Sequence, residues 1–377
     1  MKKNFLLLML IVIIAGCSRG KQATPYHGFK MKTDTTPGIK KADELFRNKN
    51  FEAALGVYKK VLSGDPNNQR AYLGTGRCLV ELGRLSEARN LYGELLEKFP
   101  GSQGGIIDLA NLYRREKKYP EAENLLKNFL KKHPEAEVGR QRLGDIYYEQ
   151  KKYREAIEQY KKVLEINPGS ENGWIGLGEI YYELGKMDKA ERANKEAIKI
   201  NPESGNAHLG LAEIYRNQGR LELADREYEL TLKYNRDDPD TIASIGDYYM
   251  ARGKKKQAES AYRQALALAP GNEDGNIGLG MIRLEENRLD EAVEHFRMAI
   301  EQNPRYGRAY YEMAILAAKK GDKKLMLDSL TMAIMIDPVT YKSRALKDPA
   351  FADYHGDKNW VELIGQNRIE PPDEKDL

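Results

Sequence analysis

Proline returns every 34 residues along most of this chain, and alanine keeps the same period. The period runs through nine successive windows that together span 35–340. The prolines are Pro66, Pro100, Pro134, Pro168, Pro202, Pro270, Pro304 and Pro338, and Arg236 stands where a proline is missing. The alanines are Ala54, Ala88, Ala122, Ala156, Ala190, Ala224, Ala258 and Ala292. A period shared by two residue types over so many windows indicates a tandem array of one repeated unit.

Each repeated unit has the pattern of two short amphipathic helices. In one window the apolar and small residues recur at helical spacing in two groups, Leu143, Gly144 and Tyr147, then Ala156, Tyr160 and Val163. Proline ends the second helix because it lacks a donor N–H and disfavours helical geometry in the residue before it. One helix pair cannot bury its own apolar face, so successive pairs must stack on one another.

The unit resembles the tetratricopeptide repeat. The family pattern of a large residue, Leu-Gly, Tyr, a later Ala and a Pro is matched by Trp174, Leu177, Gly178, Tyr181, Ala190 and Pro202. Asn194 replaces the aromatic residue that the pattern has between the last two. The resemblance implies an all-α fold, a right-handed superhelical solenoid of about nine helix-turn-helix units with a C-terminal cap. The end windows depart from the pattern, with Lys41-Ala42 in place of Leu-Gly and Met326 at the small-residue position.

Composition agrees with a single elongated domain and excludes some classes of partner. Charged residues make up 31% of the 377 residues, but the formal net charge is only +4. That balance gives no electrostatic footprint for nucleic acid. The only two cysteines are Cys17 and Cys78, so no disulfide framework is expected to hold the chain together.

Residues 1–16 have the pattern of a lipoprotein signal peptide. Two lysines precede an apolar run that is too short to span a membrane. Ile14-Ala15-Gly16-Cys17 resembles the bacterial lipobox, which implies that Cys17 is lipidated and becomes the mature N-terminus. Ser18 resembles the outer-membrane sorting pattern, and this predicts the periplasmic face of the outer membrane if the host has two membranes. The alternative is an ordinary signal peptide in which the cysteine is a coincidence.

The rest of the chain divides by composition. We expect a flexible tether at 17–34, nine repeats at 35–340, a capping segment at 341–366 and a disordered tail at 367–377. In the capping segment, Leu346, Phe351, Tyr354, Trp360 and Leu363 should cover the last repeat. In the sixth window the proline moves three residues on, to Pro239, which predicts an altered turn without a domain break.

No residue constellation predicts catalysis, a metal or a cofactor. The five histidines lie at unrelated phases of the repeat, and no HExxH or cysteine-rich ligand spacing occurs. We expect His208 and Cys78 to be packing residues, and nearly all carboxylates to lie on exposed faces. The glycine pairs inside first helices are expected to permit close helix contacts. The sequence therefore predicts a protein that is not an enzyme and takes no small-molecule substrate.

One face of each first helix lines the concave groove in the family that the chain resembles. Its middle position, which we call the groove position, is held in successive repeats by Arg77, Asn111, Asp145, Glu179, Glu213, Asp247, Met281 and Ile315. The first repeats add basic residues at Arg70, Arg114 and Arg115. The predicted partner-binding residues are Asp145, Tyr148, Glu179, Tyr182, Glu213, Asp247, Met281 and Ile315. The alternative is a solvated face with no ligand.

These features predict a lipid-anchored scaffold that binds an envelope protein or peptide in the groove, with a role in assembling an envelope complex. Four carboxylates in one strip favour a partner that carries Lys or Arg. No nucleic acid is expected as a partner, and the membrane is reached only through the lipid anchor. Two alternatives remain open, a non-catalytic accessory subunit of an envelope enzyme complex and a passive spacer.

Overall fold

The computed structural model describes residues 36–235 and 237–365, and the regular structure in these ranges is entirely helical. The first helices of nine successive pairs are α1 (Pro37–Arg47), α3 (Gln69–Glu81), α5 (Gln103–Arg115), α7 (Glu137–Glu149), α9 (Glu171–Glu183), α11 (Gly205–Asn217), α13 (Pro239–Ala251), α15 (Glu273–Glu285) and α17 (Gly307–Lys320). The second helices are α2 (Phe51–Gly64), α4 (Leu85–Lys98), α6 (Tyr119–Lys132), α8 (Tyr153–Ile166), α10 (Met187–Ile200), α12 (Leu221–Tyr234), α14 (Lys255–Leu268), α16 (Leu289–Gln302) and α18 (Lys323–Ile336). The all-α prediction is confirmed. The predicted signal peptide, Cys17, the tether and the tail lie outside the described residues.

Within each described pair, the two helices are separated by a turn with one residue at positive φ. Five of these residues are glycines, with φ between 68° and 74°, a region that costs glycine no steric strain. The other four are Lys49, Lys117, Lys151 and Asn287, with φ of 58° to 59°. The same backbone reversal therefore recurs in all nine pairs, whether or not the sequence provides a glycine.

The interface between helices is built on the periodic alanines and on close contacts between glycine and tyrosine. All eight periodic alanines, from Ala54 to Ala292, are fully buried. A Cβ atom added at Gly176 would lie 2.4 Å from the Tyr160 ring, and one added at Gly278 would lie 2.2 Å from the Tyr262 ring. Real Cβ atoms do not approach so closely, so these positions require glycine. The predicted close contact at small residues is confirmed.

The turn between repeats is held by an asparagine that caps the second helix. Asn167, Asn201 and Asn303 each donate from Nδ2 to the glutamate that begins the first helix of the same repeat, over 2.9 to 3.0 Å. In the sixth repeat that first position is Gly205, so no carboxylate stands there for Asn235. Instead, Asp238 caps α13 by accepting from the backbone N–H groups of Asp240 and Thr241. The predicted altered turn thus has a physical basis.

The described chain forms two compact units, an N-terminal unit that ends at Thr231 and a C-terminal unit that begins at Leu232. This boundary lies in α12, just before the altered turn. The sequence led us to expect an array without a break at this point. The boundary lies beside the turn that has Arg236 in place of the periodic proline and that lacks the asparagine–glutamate bond. Each unit is described separately below.

The segment after the ninth pair covers the end of the C-terminal unit. It consists of α19 (Pro338–Ala345), a 3-10 helix (Pro349–Tyr354) and α20 (Lys358–Gly365). Phe351, Trp360 and Leu363 are buried in one cluster with residues of α17 and α18. Leu346, which we expected in this cluster, lies outside it as the C-cap residue of α19 and is 52% exposed. In the described part of the chain, no helix combines the length and apolar character that crossing a membrane requires.

Candidate functional site

The eight predicted partner-binding residues all lie on first helices, and all are half-buried. The N-terminal unit carries five of them, Asp145 and Tyr148 on α7, Glu179 and Tyr182 on α9, and Glu213 on α11. The C-terminal unit carries Asp247 on α13, Met281 on α15 and Ile315 on α17. Half-burial means that each side chain packs on its own unit and still presents part of its surface. In each unit, we call the surface formed by these positions the groove face of that unit.

Most carboxylates of the groove face are held by a tyrosine of the second helix in the same repeat. The tyrosine follows the carboxylate by 15 residues and is buried. Its hydroxyl group donates a hydrogen bond to the carboxylate. The pairs are Tyr58 with Asp43, Tyr160 with Asp145, Tyr228 with Glu213 and Tyr262 with Asp247. Because a charged acceptor strengthens such a bond, these carboxylates also position the second helix. They are structural groups as well as candidate contacts.

The same carboxylates each pair with an arginine. Asp145 pairs with Arg142 at 2.9 Å, Glu213 pairs with Arg216, and Asp247 pairs with Arg308 at 3.0 Å. From the sequence we expected a strip of four carboxylates at these positions. The structure adds an arginine to three of them, so their charge is largely neutralised within the protein.

The basic beginning of the array is also paired. Arg70 pairs with Asp43, Arg77 with Asp108, Arg114 with Glu149 and Arg115 with Glu81. Asp108 is only 1% exposed, and burial raises the pKa of its carboxyl although Arg77 opposes that rise. Our expectation that nearly all carboxylates lie on exposed faces is wrong for Asp108 and for Glu312, because each is buried beside an arginine that compensates its charge.

Helix α9 differs from its neighbours in charge. It contains three glutamates and neither lysine nor arginine, and its groove face carries Glu179 and Glu183. Burial raises the pKa of the adjacent Tyr148, and the charges of Glu179 and Glu183 raise it further. Asn194 occupies the position at which other repeats have the buried tyrosine, and its Nδ2 donates to the carbonyl of Ala190. This part of the groove face is therefore the most acidic by sequence and is flanked by aromatic rings.

The groove face of the C-terminal unit is crossed by one arginine. Arg308 of α17 contacts Asp247 of α13 through both terminal nitrogens, at 3.0 and 3.2 Å, and Asp274 of α15 at 3.2 Å. The same guanidinium lies 3.7 Å from the sulfur of Met281. Met281 and Ile315 both pack on one apolar cluster of this unit. The predicted apolar end thus carries a guanidinium over one of its two predicted contact residues.

The remaining chemically notable residues are accounted for by packing. In the described ranges, no group of three His, Cys, Asp or Glu side chains could hold a metal ion. Cys78 is fully buried, as expected, and burial raises the pKa of its thiol to about 12. His208 is buried but also polar in its contacts, a point that sequence reasoning missed. The prediction that the chain has no enzymatic activity of its own stays a prediction.

Two family models match the sequence. The first describes the C-terminal domain of cilia and flagella-associated protein 70 and matches residues 102–315, and the second describes a tetratricopeptide repeat and matches residues 45–105. Among solved structures, the chain is similar to one in a crystal structure of the APC/C hetero-tetramer Cut9-Hcn1, with a TM-score of 0.50 and 16% identity. That match covers 83% of this chain but only 58% of the other, and it shows the fold alone.

Two further solved structures are similar over shorter parts of the chain. A tetratricopeptide repeat protein from Parabacteroides merdae ATCC 43184 has a TM-score of 0.49 and 20% identity, over 62% of this chain and 92% of its own. YrrB, described as a TPR protein with an unusual peptide-binding site, has a TM-score of 0.43 and 22% identity, over 51% of this chain and 99% of its own. Because the first family model covers more than half of the chain, the chain belongs to the tetratricopeptide repeat proteins, in the family that this model describes.

Proposed function

We propose that the chain is a protein-interaction scaffold whose groove face holds a segment of a partner protein. The observation that carries this proposal is that eight positions on successive first helices are all half-buried. Their bodies pack on the repeat cores, while part of each side chain is available for contact. Within each unit, a series of such positions suits recognition of an extended or helical segment, because little side-chain ordering remains to be done on binding.

The partner segment carries basic residues that contact α9. Glu179 and Glu183 provide negative charge on a helix with no lysine or arginine of its own. Tyr148 and Tyr182 add rigid amphipathic surface beside them, the kind of side chain that often dominates binding energy. In the C-terminal unit, Met281 and Ile315 offer apolar contact area. Charge steering is expected to come mainly from α9, because this helix contains three glutamates and neither lysine nor arginine.

Charge reversal on α9 tests the binding surface. We expect a chain with Glu179→Lys and Glu183→Lys to lose most crosslinked capture of the partner from membranes at low ionic strength. The matched control is Glu158→Lys on α8, whose side chain is 60% exposed and lies on a second helix. Glu213 is unsuitable for this test, since its loss would leave the buried hydroxyl of Tyr228 without its acceptor.

Both variants should keep the helical circular dichroism and melting temperature of the wild type, because exposed charges contribute little to stability. If the α9 double variant captures the partner as well as the wild type at low salt, the acidic surface is not the binding site. The opposite face of the repeats, or the cap around Trp360, then becomes the better candidate.

The finer proposal is that the scaffold is lipid-anchored in the cell envelope and helps to assemble an envelope complex. It is supported by the signal-like residues 1–16 and by the lipobox-like sequence that ends at Cys17. Lipidation of Cys17 would hold the repeats near a membrane, since two or three acyl chains bind a bilayer durably. Replacing Cys17 by Ala should leave unprocessed precursor and abolish palmitate labelling. Labelling that persists in this variant would rule out the anchor but leave the scaffold proposal intact.

A further inference from the structure

In four repeats, the fourth residue of the first helix donates a hydrogen bond to the carbonyl of the proline six residues earlier. The donors differ chemically, and the N–H group is what they share. They are Arg140 to Pro134 at 2.6 Å, Trp174 to Pro168 at 3.3 Å, His208 to Pro202 at 3.1 Å and Asn276 to Pro270 at 3.0 Å. We had read this register as a packing position for a large residue. The recurring donor indicates that His208 carries a proton on Nε2.

The other ring nitrogen of His208 also faces an acceptor. Nδ1 lies 2.6 Å from Oε2 of Glu227 on α12, and the ring is only 5% exposed. A carboxylate accepts hydrogen bonds and a neutral imidazole has one N–H, so only the imidazolium can donate to both partners. Burial alone would lower the pKa of His208, but Glu227 and the Pro202 carbonyl more than reverse this and raise it.

Each ring nitrogen of His208 faces an acceptor from a different segment. Helix α12 contributes the carboxylate of Glu227, whose hydrogen bond and charge raise the pKa of His208. The turn between α10 and α11 contributes the uncharged carbonyl of Pro202. One protonated ring thus connects α11 and α12 of the sixth repeat with the turn that precedes them.

We propose that His208 is a pH-dependent clamp on the sixth repeat, closed when the imidazole is protonated and released when it loses its proton. The pKa of His208 in the folded state lies above the ordinary value of about 6.5. The stabilisation is therefore complete below about pH 6.5. It is lost as the pH rises through the folded-state pKa, because one ring nitrogen then has no proton to donate to its oxygen acceptor. The sixth repeat also lacks the asparagine–glutamate bond of the fourth, fifth and eighth repeats, so this contact matters more there.

The eighth repeat has a histidine at the position that corresponds to Glu227, and an asparagine at the position that corresponds to His208. Asn276 lies 68 residues after His208, and His295 lies 68 residues after Glu227. Nδ1 of His295 is 3.2 Å from the amide oxygen of Asn276, which is a neutral partner. Burial and the charge of Arg283 lower the pKa of His295. The chain therefore provides an internal control that should titrate in the opposite direction.

The test is an NMR titration of the histidine ring protons in the full mature chain, combined with melting curves at pH 5.5 and pH 8.5. We expect His208 to titrate above 6.5 and His295 below it. His208→Asn keeps an N–H for the Pro202 carbonyl, as Asn276 does for Pro270. Between pH 5.5 and pH 8.5, release of the clamp should lower the melting temperature of the wild type by about 2–4 °C. The His208→Asn variant should lack this decrease.

Two further variants separate the clamp from general effects. Glu227→Gln should bring the pKa of His208 down, and His295→Asn should leave the pH dependence of melting unchanged. A wild-type His208 that titrates at or below 6.5 overturns the proposal, as does an unchanged pH dependence in His208→Asn. Should His208→Asn fail to fold, the wild-type titration and Glu227→Gln still decide.

Discussion

The two units use the groove position in different ways. In the N-terminal unit, α9 carries Glu179 and Glu183 and contains no basic residue. In the C-terminal unit, Asp247 is joined to Arg308, which comes from a helix two repeats further along the chain. The groove position thus binds the partner segment at α9 in the proposed function, whereas in the C-terminal unit it joins two helices of the chain. A repeat position alone does not determine its role, since Asp145 and Glu213 pair with arginines of their own helices whereas Asp247 is joined to a helix two repeats away.

The contact made by Arg308 departs from the usual behaviour of repeat proteins. Repeats of this kind normally contact only their neighbours, and their stability is close to a sum of local terms. Arg308 instead connects α17 with α13 and also contacts Asp274 on the intervening α15. Repeats seven to nine are therefore expected to unfold together. In the N-terminal unit, Arg142 and Arg216 instead pair with carboxylates three residues away on their own helices.

Removal of Arg308 is the largest effect that we expect. Arg308→Ala leaves Asp247 and Asp274 without their shared cation, and the lost stability should be about 2 kcal/mol, less than for a fully buried pair because these side chains are 20–28% exposed. The measurement is urea unfolding followed by fluorescence of Trp360, which is 2% exposed in the C-terminal unit. Trp174 is first replaced by Asn, which keeps a donor at that register, so that only Trp360 reports.

The matched control is Arg297→Ala in the same unit. Arg297 pairs with Glu294 three residues away on α16, and both side chains are more than half exposed. Its removal should change the unfolding free energy by no more than about 0.5 kcal/mol. An Arg308 variant that is no less stable than this control would mean that the bridge contributes nothing, and the contrast between the two units would then fail.

At Asn194 we expect a smaller change in the unfolding free energy, and in this case an increase. Gly178 and Gly210 lie against the side chain of Asn194, just as Gly144 and Gly176 lie against the ring of Tyr160. We therefore expect this position to accept an aromatic ring. Asn194→Tyr should place a hydroxyl near Glu179, as Tyr160 does for Asp145, and raise the unfolding free energy by about 1 kcal/mol. Urea unfolding followed by Trp174 fluorescence measures the change.

The control at this site is Asn194→Phe, which provides the ring without the hydroxyl. If tyrosine is more stabilising than phenylalanine, the hydroxyl reaches Glu179 and the N-terminal unit becomes more like the C-terminal one. Partner capture should then depend less on Glu179. Equal stability of the two variants would mean that Glu179 does not lie where Asp145 and Asp247 lie, and the shared register would be only approximate.

The 34-residue period was sufficient to predict the helix pairs, their number and the buried alanines. A helix pair has few ways to bury two apolar faces, so a repeated pattern determines a repeated packing. The contacts between glycine and tyrosine also follow from the period. A further signal was present but unused, since a carboxylate followed by tyrosine 15 residues later marks each carboxylate that the second helix holds.

The charge pairs that join different helices were not predictable in the same way. Arg77 and Asp108 are 31 residues apart, and Arg308 and Asp247 are 61 apart, so their contact depends on how successive helices stack and how far a side chain reaches. The same holds for His208, whose two acceptors come from a turn and from another helix. The sequence by itself determined the repeated backbone, because periodic burial of apolar residues is a local rule. Only the tertiary structure decided which charges compensate one another, because electrostatic partners are selected by distance in space.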